Sequence, residues 1–180
     1  MDPPPGSGTG VDITELILNQ HHEQRRTFAL LDELADDPAG LAAVWERLTI
    51  LLEVHAEAEE KFFYPRLLKV GTGGGDADSA ADETEDAIKD HNEIRDAIAE
   101  AAKHEVGSEG WWKAVREADE ANSDHMAEEE REDLVDFRQH ADLQTRHEIA
   151  VEFIVYENQH ARRGITPEDK DPEEYVQENS

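Results

Sequence analysis

His55-Ala-Glu-Ala-Glu59 and His125-Met-Ala-Glu-Glu129 repeat one pattern, a histidine followed four residues later by a glutamate, at a separation of 70 residues. A lone histidine precedes each copy by 34 residues, His21 in the first half and His91 in the second. Side chains four residues apart lie on one face of an α-helix, so each copy presents an imidazole and a carboxylate together. The repeat therefore predicts two helical hairpins whose six metal-binding side chains face a common axis.

Apolar residues recur at steps of three or four around these histidines, which is the spacing of one helix face. Ile17, Phe28 and Leu31 share such a face with His21. The glycine-rich segment 71–75 separates the two halves of the repeat and is typical of a linker. Two such hairpins predict an all-α fold, an antiparallel up-down-up-down four-helix bundle, and a further apolar pattern predicts an additional C-terminal helix.

The boundaries of these parts follow from changes in composition along the chain. The first eleven residues are rich in proline and glycine, whereas Asp12 followed by Glu15 is typical of a helix start. Charged residues dominate after Gly164. We therefore expect a disordered N-terminal segment at 1–11, the bundle at 12–138, the additional C-terminal helix at 139–164 and an acidic tail at 165–180.

The composition excludes several classes of function. The chain carries 45 acidic and 17 basic residues, a formal net charge of −28. Such a surface repels nucleic acid and anionic membranes, so we expect neither as a partner. The sequence contains no cysteine, which excludes disulfides, thiolate metal sites and cysteine nucleophiles. Because neither a secretory signal nor a bilayer-spanning apolar run is recognisable, we expect a cytoplasmic protein. The sequence leaves the oligomeric state open, with a monomer slightly favoured.

The repeated residues have the chemistry of a dinuclear metal site. Four neutral imidazoles supply nitrogen ligands, and two carboxylates can bridge a pair of cations and reduce their mutual repulsion. This mixture of nitrogen and oxygen ligands favours iron, with zinc or manganese as less favoured occupants. The alternative is that these residues lie on solvated helix faces, but the doubled spacing argues against it. The predicted metal ligands are His21, His55, Glu59, His91, His125 and Glu129.

At these residues the chain resembles the hemerythrin-like family, whose HHE cation-binding domain repeats His and then His-x-x-x-Glu on four helices. The resemblance covers residues 12–138 and includes Gln20-His21, the segment from His55 to Pro65, and Glu129-Glu130. It implies an antiparallel four-helix bundle that holds two iron ions in an oxo- or hydroxo-bridged, non-haem di-iron centre. The implied activities are dioxygen binding, redox sensing, iron handling, and nitric-oxide or peroxide chemistry.

Two positions differ from the oxygen-carrying hemerythrins, which have a further histidine where Arg95 stands and an aspartate where Glu129 stands. The four-His, two-Glu set resembles instead the bacterial branch linked to oxidative or nitrosative stress and to iron delivery. We predict a di-iron protein that binds or reacts with dioxygen, peroxide or nitric oxide. An iron storage or donor protein, and a metal-stabilised interaction module without turnover, are the alternatives, so whether the protein is an enzyme stays open.

Three further residues have a functional and an ordinary interpretation. Tyr64 is either a hydrogen-bond donor or redox-active neighbour of the metal site, or a packing residue beside Pro65. Glu157 and His160 have the Glu-x-x-His spacing of ferritin-like sites, but one such motif on a charged helix is more often a surface feature. None of the three is among the six predicted ligands, and the sequence leaves open whether Tyr64, Glu157 or His160 contributes to the metal site.

Overall fold

The computed structural model describes residues 10–180, and within that range its secondary structure is helical, with no strand. The all-α prediction is therefore confirmed. The expected disorder of residues 1–11 lies outside the described residues except for Gly10 and Val11. The helices are α1 (Ile13–Glu33), α2 (Pro38–Ala58), a π-helical turn (Glu59–Phe63), α3 (Tyr64–Val70), α4 (Ala80–Ala101), α5 (Glu109–Arg131), α6 (Asp133–His140), α7 (Leu143–His160) and α8 (Pro172–Asn179).

Side-chain caps fix where the four longest helices of the repeat begin. Asp12 accepts a hydrogen bond from the amide of Thr14 at 2.9 Å and so caps α1. Asp37, Ser79 and Ser108 cap α2, α4 and α5 in the same way. Each such cap satisfies an otherwise unpaired amide and contributes about 1 kcal/mol. The caps therefore set the register in which the repeated histidines meet the interior.

Two apolar clusters fill the interior, and the polar side chains of the repeat lie between them. The first, which we call the tryptophan cluster, contains Phe28, Leu52, Trp45 and Trp111. The second, which we call the phenylalanine cluster, contains Ile17, Ala58, Phe63, Phe137 and Phe153. Along α1 the order is Ile17, His21, Phe28, and along α2 it is Leu52, His55, Ala58. The metal-ligand candidates therefore occupy one layer with apolar side chains on both sides.

The C-terminal end of α2 widens into the π-helical turn immediately before Tyr64-Pro65. Proline has no amide hydrogen to donate to the preceding turn, and a π turn is one way for a helix to accommodate that loss. In consequence Glu59 and Glu60 are both buried, with exposed fractions of 0% and 3%. Consecutive residues of a regular α-helix point about 100° apart, so the wider turn allows both carboxylates to face the interior.

Helix α7 lies inside the range 139–164 and packs across α1 and α2. Its Phe153 is fully buried, and the ring lies 5.8 Å from that of His55. The predicted additional helix thus covers the metal-ligand candidates of the first half. Within residues 10–180 no helix combines the length and apolar character needed to cross a membrane.

The segment expected to be an acidic tail contains a helix that the sequence analysis did not predict. Asp171 caps α8 and Pro172 occupies its first turn. Tyr175 and Val176 are buried, α8 contacts α4 and α3, and the Tyr175 hydroxyl donates a hydrogen bond to the carbonyl of Glu60. Two apolar side chains in a highly charged segment were too weak a pattern to indicate a docked helix.

Buried carboxyl groups order the glycine-rich segment between the two halves. Asp136 accepts hydrogen bonds from the amides of Thr72 and Gly73 at 2.8 and 3.0 Å, and Glu83 accepts one from Gly74 at 2.7 Å. Gly73 has a φ of +97°, a backbone conformation that glycine adopts without strain. Burial and then the charge of Asp136 raise the pKa of Glu83 to about 8. The segment is therefore held by two carboxyl groups that repel each other when both are ionised.

The substitution Glu83→Gln should change how stability depends on pH. Because the pKa of Glu83 is raised in the folded protein from 4.5 to about 8, its contribution is fully present below pH 4.5 and is lost as the pH rises through 8. The amide of glutamine does not ionise, so the variant should gain stability relative to the parent between pH 5 and pH 9. Thermal unfolding at matched metal content measures this, and we expect a relative gain in Tm of a few degrees. The control is Glu120→Gln, on the exposed face of α5, which should show no such dependence on pH. If Tm depended on pH in the same way in Glu83→Gln and in the parent, the raised pKa of Glu83 would be wrong.

Candidate metal centre

The structure brings all six predicted metal ligands into two overlapping groups of buried side chains, each with its donor atoms within 4.8 Å of one another. The first group draws on α1, α2, the π-helical turn and α5, and the second on the π-helical turn, α4 and α5. Their exposed fractions lie between 0% and 4%. The groups are His21, His55, Glu59 and Glu129, and Glu59, His91 and His125.

Glu59 is the residue that the two groups share. Its Oε1 lies 2.7 Å from Nε2 of His55, and its Oε2 lies 3.1 Å from Nε2 of His91 and 3.8 Å from Nε2 of His125. The two oxygens of one carboxylate therefore face different sets of imidazoles. This is the arrangement in which a carboxylate bridges two cations through its separate oxygen atoms.

Glu129 has a less symmetric environment. Its Oε2 lies 3.1 Å from Nε2 of His21 and 4.0 Å from Nε2 of His125. Its Oε1 accepts a hydrogen bond from the hydroxyl of Tyr64 at 2.9 Å, and the same hydroxyl lies 3.2 Å from Oδ2 of Asp133. One oxygen of Glu129 therefore faces the imidazoles, while the other is occupied by a phenol.

Several donor atoms at the centre are buried and have no hydrogen-bond partner. They belong to the ligand candidates, and the short distances between them do not have hydrogen-bond geometry. Buried polar atoms left without a partner cost free energy, so a set of them converging on one volume fits a bound cation. The residues present therefore fit a metal. The atoms are Nε2 of His21, Nε2 of His55, both carboxylate oxygens of Glu59, and Oε2 of Glu129.

Each of the four histidines also places its other ring nitrogen, Nδ1, close to an oxygen outside the two groups. An Nδ1–H directed at such an oxygen leaves the Nε2 lone pair free for a metal and fixes the orientation of the ring. For His21, His55, His91 and His125 these oxygens belong to Glu130 at 2.8 Å, Gln20 at 2.6 Å, Glu60 at 2.8 Å and Asp90 at 3.6 Å, respectively.

These four outer partners are functional residues that the sequence analysis did not identify. Glu60 and Glu130 are 70 residues apart, as are Gln20 and Asp90, so they obey the same repeat as the ligand candidates. Glu60 contacts the histidine of α4 and Glu130 that of α1, which means that each half of the chain orients a histidine of the other. A search for every polar pair at that separation would have found them.

The charges at the centre compensate one another. Burial alone lowers the pKa of His21, but the adjacent carboxylates of Glu129 and Glu130 outweigh it and raise the pKa to about 8. Burial alone raises the pKa of Glu59, but the neighbouring imidazoles, above all His55, hold it well below its usual range. Without a cation, protons on imidazoles therefore balance the buried carboxylates, and a cation would replace those protons.

Arg95 stands where oxygen-carrying hemerythrins have a further histidine, and it has a different role here. Its Nη2 donates to Oε1 of Glu60 at 2.8 Å, the same oxygen that faces Nδ1 of His91. Lys170, just before α8, also contacts the Glu60 carboxylate. Burial raises the pKa of Glu60, but His91, Arg95 and Lys170 together lower it to about 2. Arg95 therefore holds Glu60, the residue that orients the ligand candidate His91, and is not itself in either ligand group.

Tyr64, Glu157 and His160, which the sequence left open as neighbours of the metal site, lie at different distances from the centre. Tyr64 is fully buried and bonds directly to Glu129. Glu157 accepts a hydrogen bond from Nε2 of Gln20 at 2.7 Å, so it contacts the centre only through the residue that orients His55. The ring of His160 packs against Tyr156, with centroids 4.3 Å apart. Among residues 10–180, none of these three belongs to either ligand group.

Comparison with known proteins agrees with this geometry. The family model described as "Hemerythrin HHE cation binding domain" matches residues 12–135, from the cap of α1 to the first residues of α6. A search of curated proteins finds no match, and a search of solved structures finds none either. The matched range covers more than two thirds of the chain and contains all six ligand candidates. The chain therefore belongs to the hemerythrin family, whose HHE domain binds cations.

Proposed function

We propose that the six side chains hold two iron ions and that the loaded centre binds or reacts with a small oxidant, namely dioxygen, peroxide or nitric oxide. The observation that carries this proposal is the position of Glu59, whose two oxygens face different groups of imidazoles. A single mononuclear site would not need a carboxylate shared in this way. Nitrogen and hard oxygen donors favour iron, while zinc or manganese would satisfy the same donors with different chemistry.

We also propose that the four helices of the repeat alternate in direction, up-down-up-down. In support, α1 runs from the phenylalanine cluster to the tryptophan cluster, whereas α2 runs from the tryptophan cluster to the phenylalanine cluster. Helix α4 repeats the order of α1, and α5 begins in the tryptophan cluster and leads into α6, whose Leu134 and Phe137 belong to the phenylalanine cluster. Such alternation allows every helix to contribute a ligand at one level of the bundle.

The residues around the centre would orient the ligands, exclude water and retain a proton. Glu130, Gln20, Glu60 and Asp90 hold the imidazole rings, and the apolar clusters on both sides keep the layer dry. Burial and the neighbouring carboxylates raise the pKa of Tyr64 well above its usual value, so the phenol keeps its proton beside Glu129. When bound, the iron pair supplies redox capacity and open positions for a small ligand.

The first test is the metal content of the purified protein, measured together with its visible spectrum and its response to oxidants. We expect two irons per chain after anaerobic reconstitution, and an absorption change when dioxygen, peroxide or nitric oxide is added. Reversible change without consumption would identify a binding or sensing protein, and sustained consumption of peroxide would identify an enzyme. A colourless, zinc-loaded protein that ignores oxidants would contradict the proposal and favour a structural module.

Removing single ligands should lower metal content and stability together. His55→Ala and Glu129→Ala each delete a donor from the buried layer, so each should bind less iron and unfold at a lower temperature than the parent. His104→Ala is the control, because His104 is exposed, lies beyond the end of α4 and pairs with Glu100, far in sequence from any ligand candidate. Elemental analysis and calorimetry measure both quantities. Equal losses in all three variants would show that the ligand assignment is wrong.

Removing an outer partner should weaken metal binding without removing a ligand. Glu130→Ala deletes the oxygen that faces Nδ1 of His21, and losses of this kind typically weaken metal affinity by roughly 10- to 100-fold. Glu130→Gln should be milder, because its amide oxygen can still accept the hydrogen bond. Competition with a coloured chelator measures the affinity, with Glu120→Ala as the control on the same helix. An unchanged affinity in Glu130→Ala would remove Glu130 from the centre.

A further inference from the structure

A narrow crevice between α4 and α5 leads to the inner side chains of the metal centre. Its free volume is about 10 Å³, room for about one water molecule. His125 and Glu129 line it, together with Ala87 and a run of carboxylates, and none of the residues lining it is a lysine or an arginine. We call it the acidic crevice, and its carboxylates belong to Asp86, Asp90, Glu128, Glu132, Glu83 and Asp133.

These carboxylates form a gradient from solvent to the centre. Asp86 and Glu128 are exposed, the side chain of Asp90 is 22% exposed, and Asp133 is buried. Asp90 lies 3.6 Å from Nδ1 of His125, so the middle of the acidic crevice touches a predicted ligand. A cation moving inward would therefore meet a carboxylate at each depth.

Carboxylates outnumber cationic side chains around the acidic crevice, where Arg131 pairs with Glu132 at 2.9 Å. Two buried carboxylate oxygens that line it, Oε2 of Glu83 and Oε2 of Glu129, have no hydrogen-bond partner. Their residues are 2% and 1% exposed, so water does not replace the missing partners. An unpartnered carboxylate oxygen of the ligand candidate Glu129, in a crevice lined mostly by acidic residues, points to a cation as the species that the crevice accommodates.

The other approaches to the centre differ in charge. The groove between α1, α2 and α7 contains Arg47, and the Gln20 to Glu157 hydrogen bond crosses it. The opening beside α8 contains Lys61 and Lys170, and Lys170 is paired with Glu57 and Glu60. Both of these openings therefore contain basic side chains among their carboxylates, whereas no lysine or arginine lines the acidic crevice.

We propose that the acidic crevice is the route by which a divalent cation reaches the metal centre. Exposed Asp86 and Glu128 would raise the local concentration of cations, as clefts lined by one sign of charge do. Because only about one water fits inside, the ion would exchange bound waters for carboxylate oxygens as it passes inward to Glu129 and His125. The proposal rests on the metal centre proposed above and concerns how that centre is filled.

The test compares two double variants that change the charge equally. Asp86→Asn with Glu128→Gln neutralises the mouth of the acidic crevice, whereas Asp96→Asn with Glu120→Gln neutralises one exposed carboxylate on each of the same two helices outside it. Stopped-flow absorption measures the rate at which metal-free protein takes up Co²⁺, and anaerobic Fe²⁺ uptake is measured in parallel. All substituted residues are exposed, so both variants should fold, and circular dichroism checks this.

The mouth variant should take up metal about three- to tenfold more slowly than the parent at low salt, and it should reach the same final occupancy. The control variant should load at nearly the parental rate, and high salt should bring the three rates together. Equal rates for the two variants would overturn the route while leaving the metal centre intact. Failure of the parent protein itself to bind metal would overturn the proposed function, and with it the route.

Discussion

The structure depends on one constraint, which is that anionic and neutral donors must share a layer that is buried between two apolar clusters. Glu59 is fully buried between two apolar clusters, and neither of its carboxylate oxygens has a hydrogen-bond partner. A buried carboxylate is tolerated only when opposite charge and donors surround it. The imidazoles around Glu59, their outer partners and the helices that carry them all serve this requirement. Tertiary packing elsewhere is that of an ordinary helical bundle.

The requirement explains why the α2 helix is irregular where it meets the centre. In a regular helix one of the Glu59 and Glu60 side chains would point away from the interior. Both are buried here, because Glu59 faces the imidazoles and Glu60 contacts Nδ1 of His91. The π-helical turn before Pro65 brings both inside. In the second half, Glu129 and Glu130 stand at the end of α5, where the break at Glu132 precedes α6. Each half therefore interrupts a helix just after its pair of glutamates.

The sequence was sufficient to predict the helical class and the six residues that the structure brings together, because a helical His-x-x-x-Glu pair is a local pattern and its repetition is improbable by chance. Features that depend on tertiary contacts were not predicted. Gln20 and Glu130 are adjacent to ligand candidates in sequence but act on histidines of other helices. Likewise, α8 is stable only because Tyr175 and Val176 find a surface on α4 and α3, which no local pattern encodes.

The two halves of the chain share one sequence pattern but differ in charge. This difference makes the surroundings of His55 and of His125 unequal. Gln20 beside His55 is neutral, whereas its counterpart Asp90 beside His125 is an anion. Glu60, in the first half, is neutralised by Arg95 and Lys170, so the second half alone presents free carboxylates to solvent near a histidine. Since a cation follows the gradient of negative potential, the side of His125 faces metal exchange. On the opposite side, Phe153 packs against His55, and the Gln20 to Glu157 hydrogen bond ties the residue that orients His55 to α7.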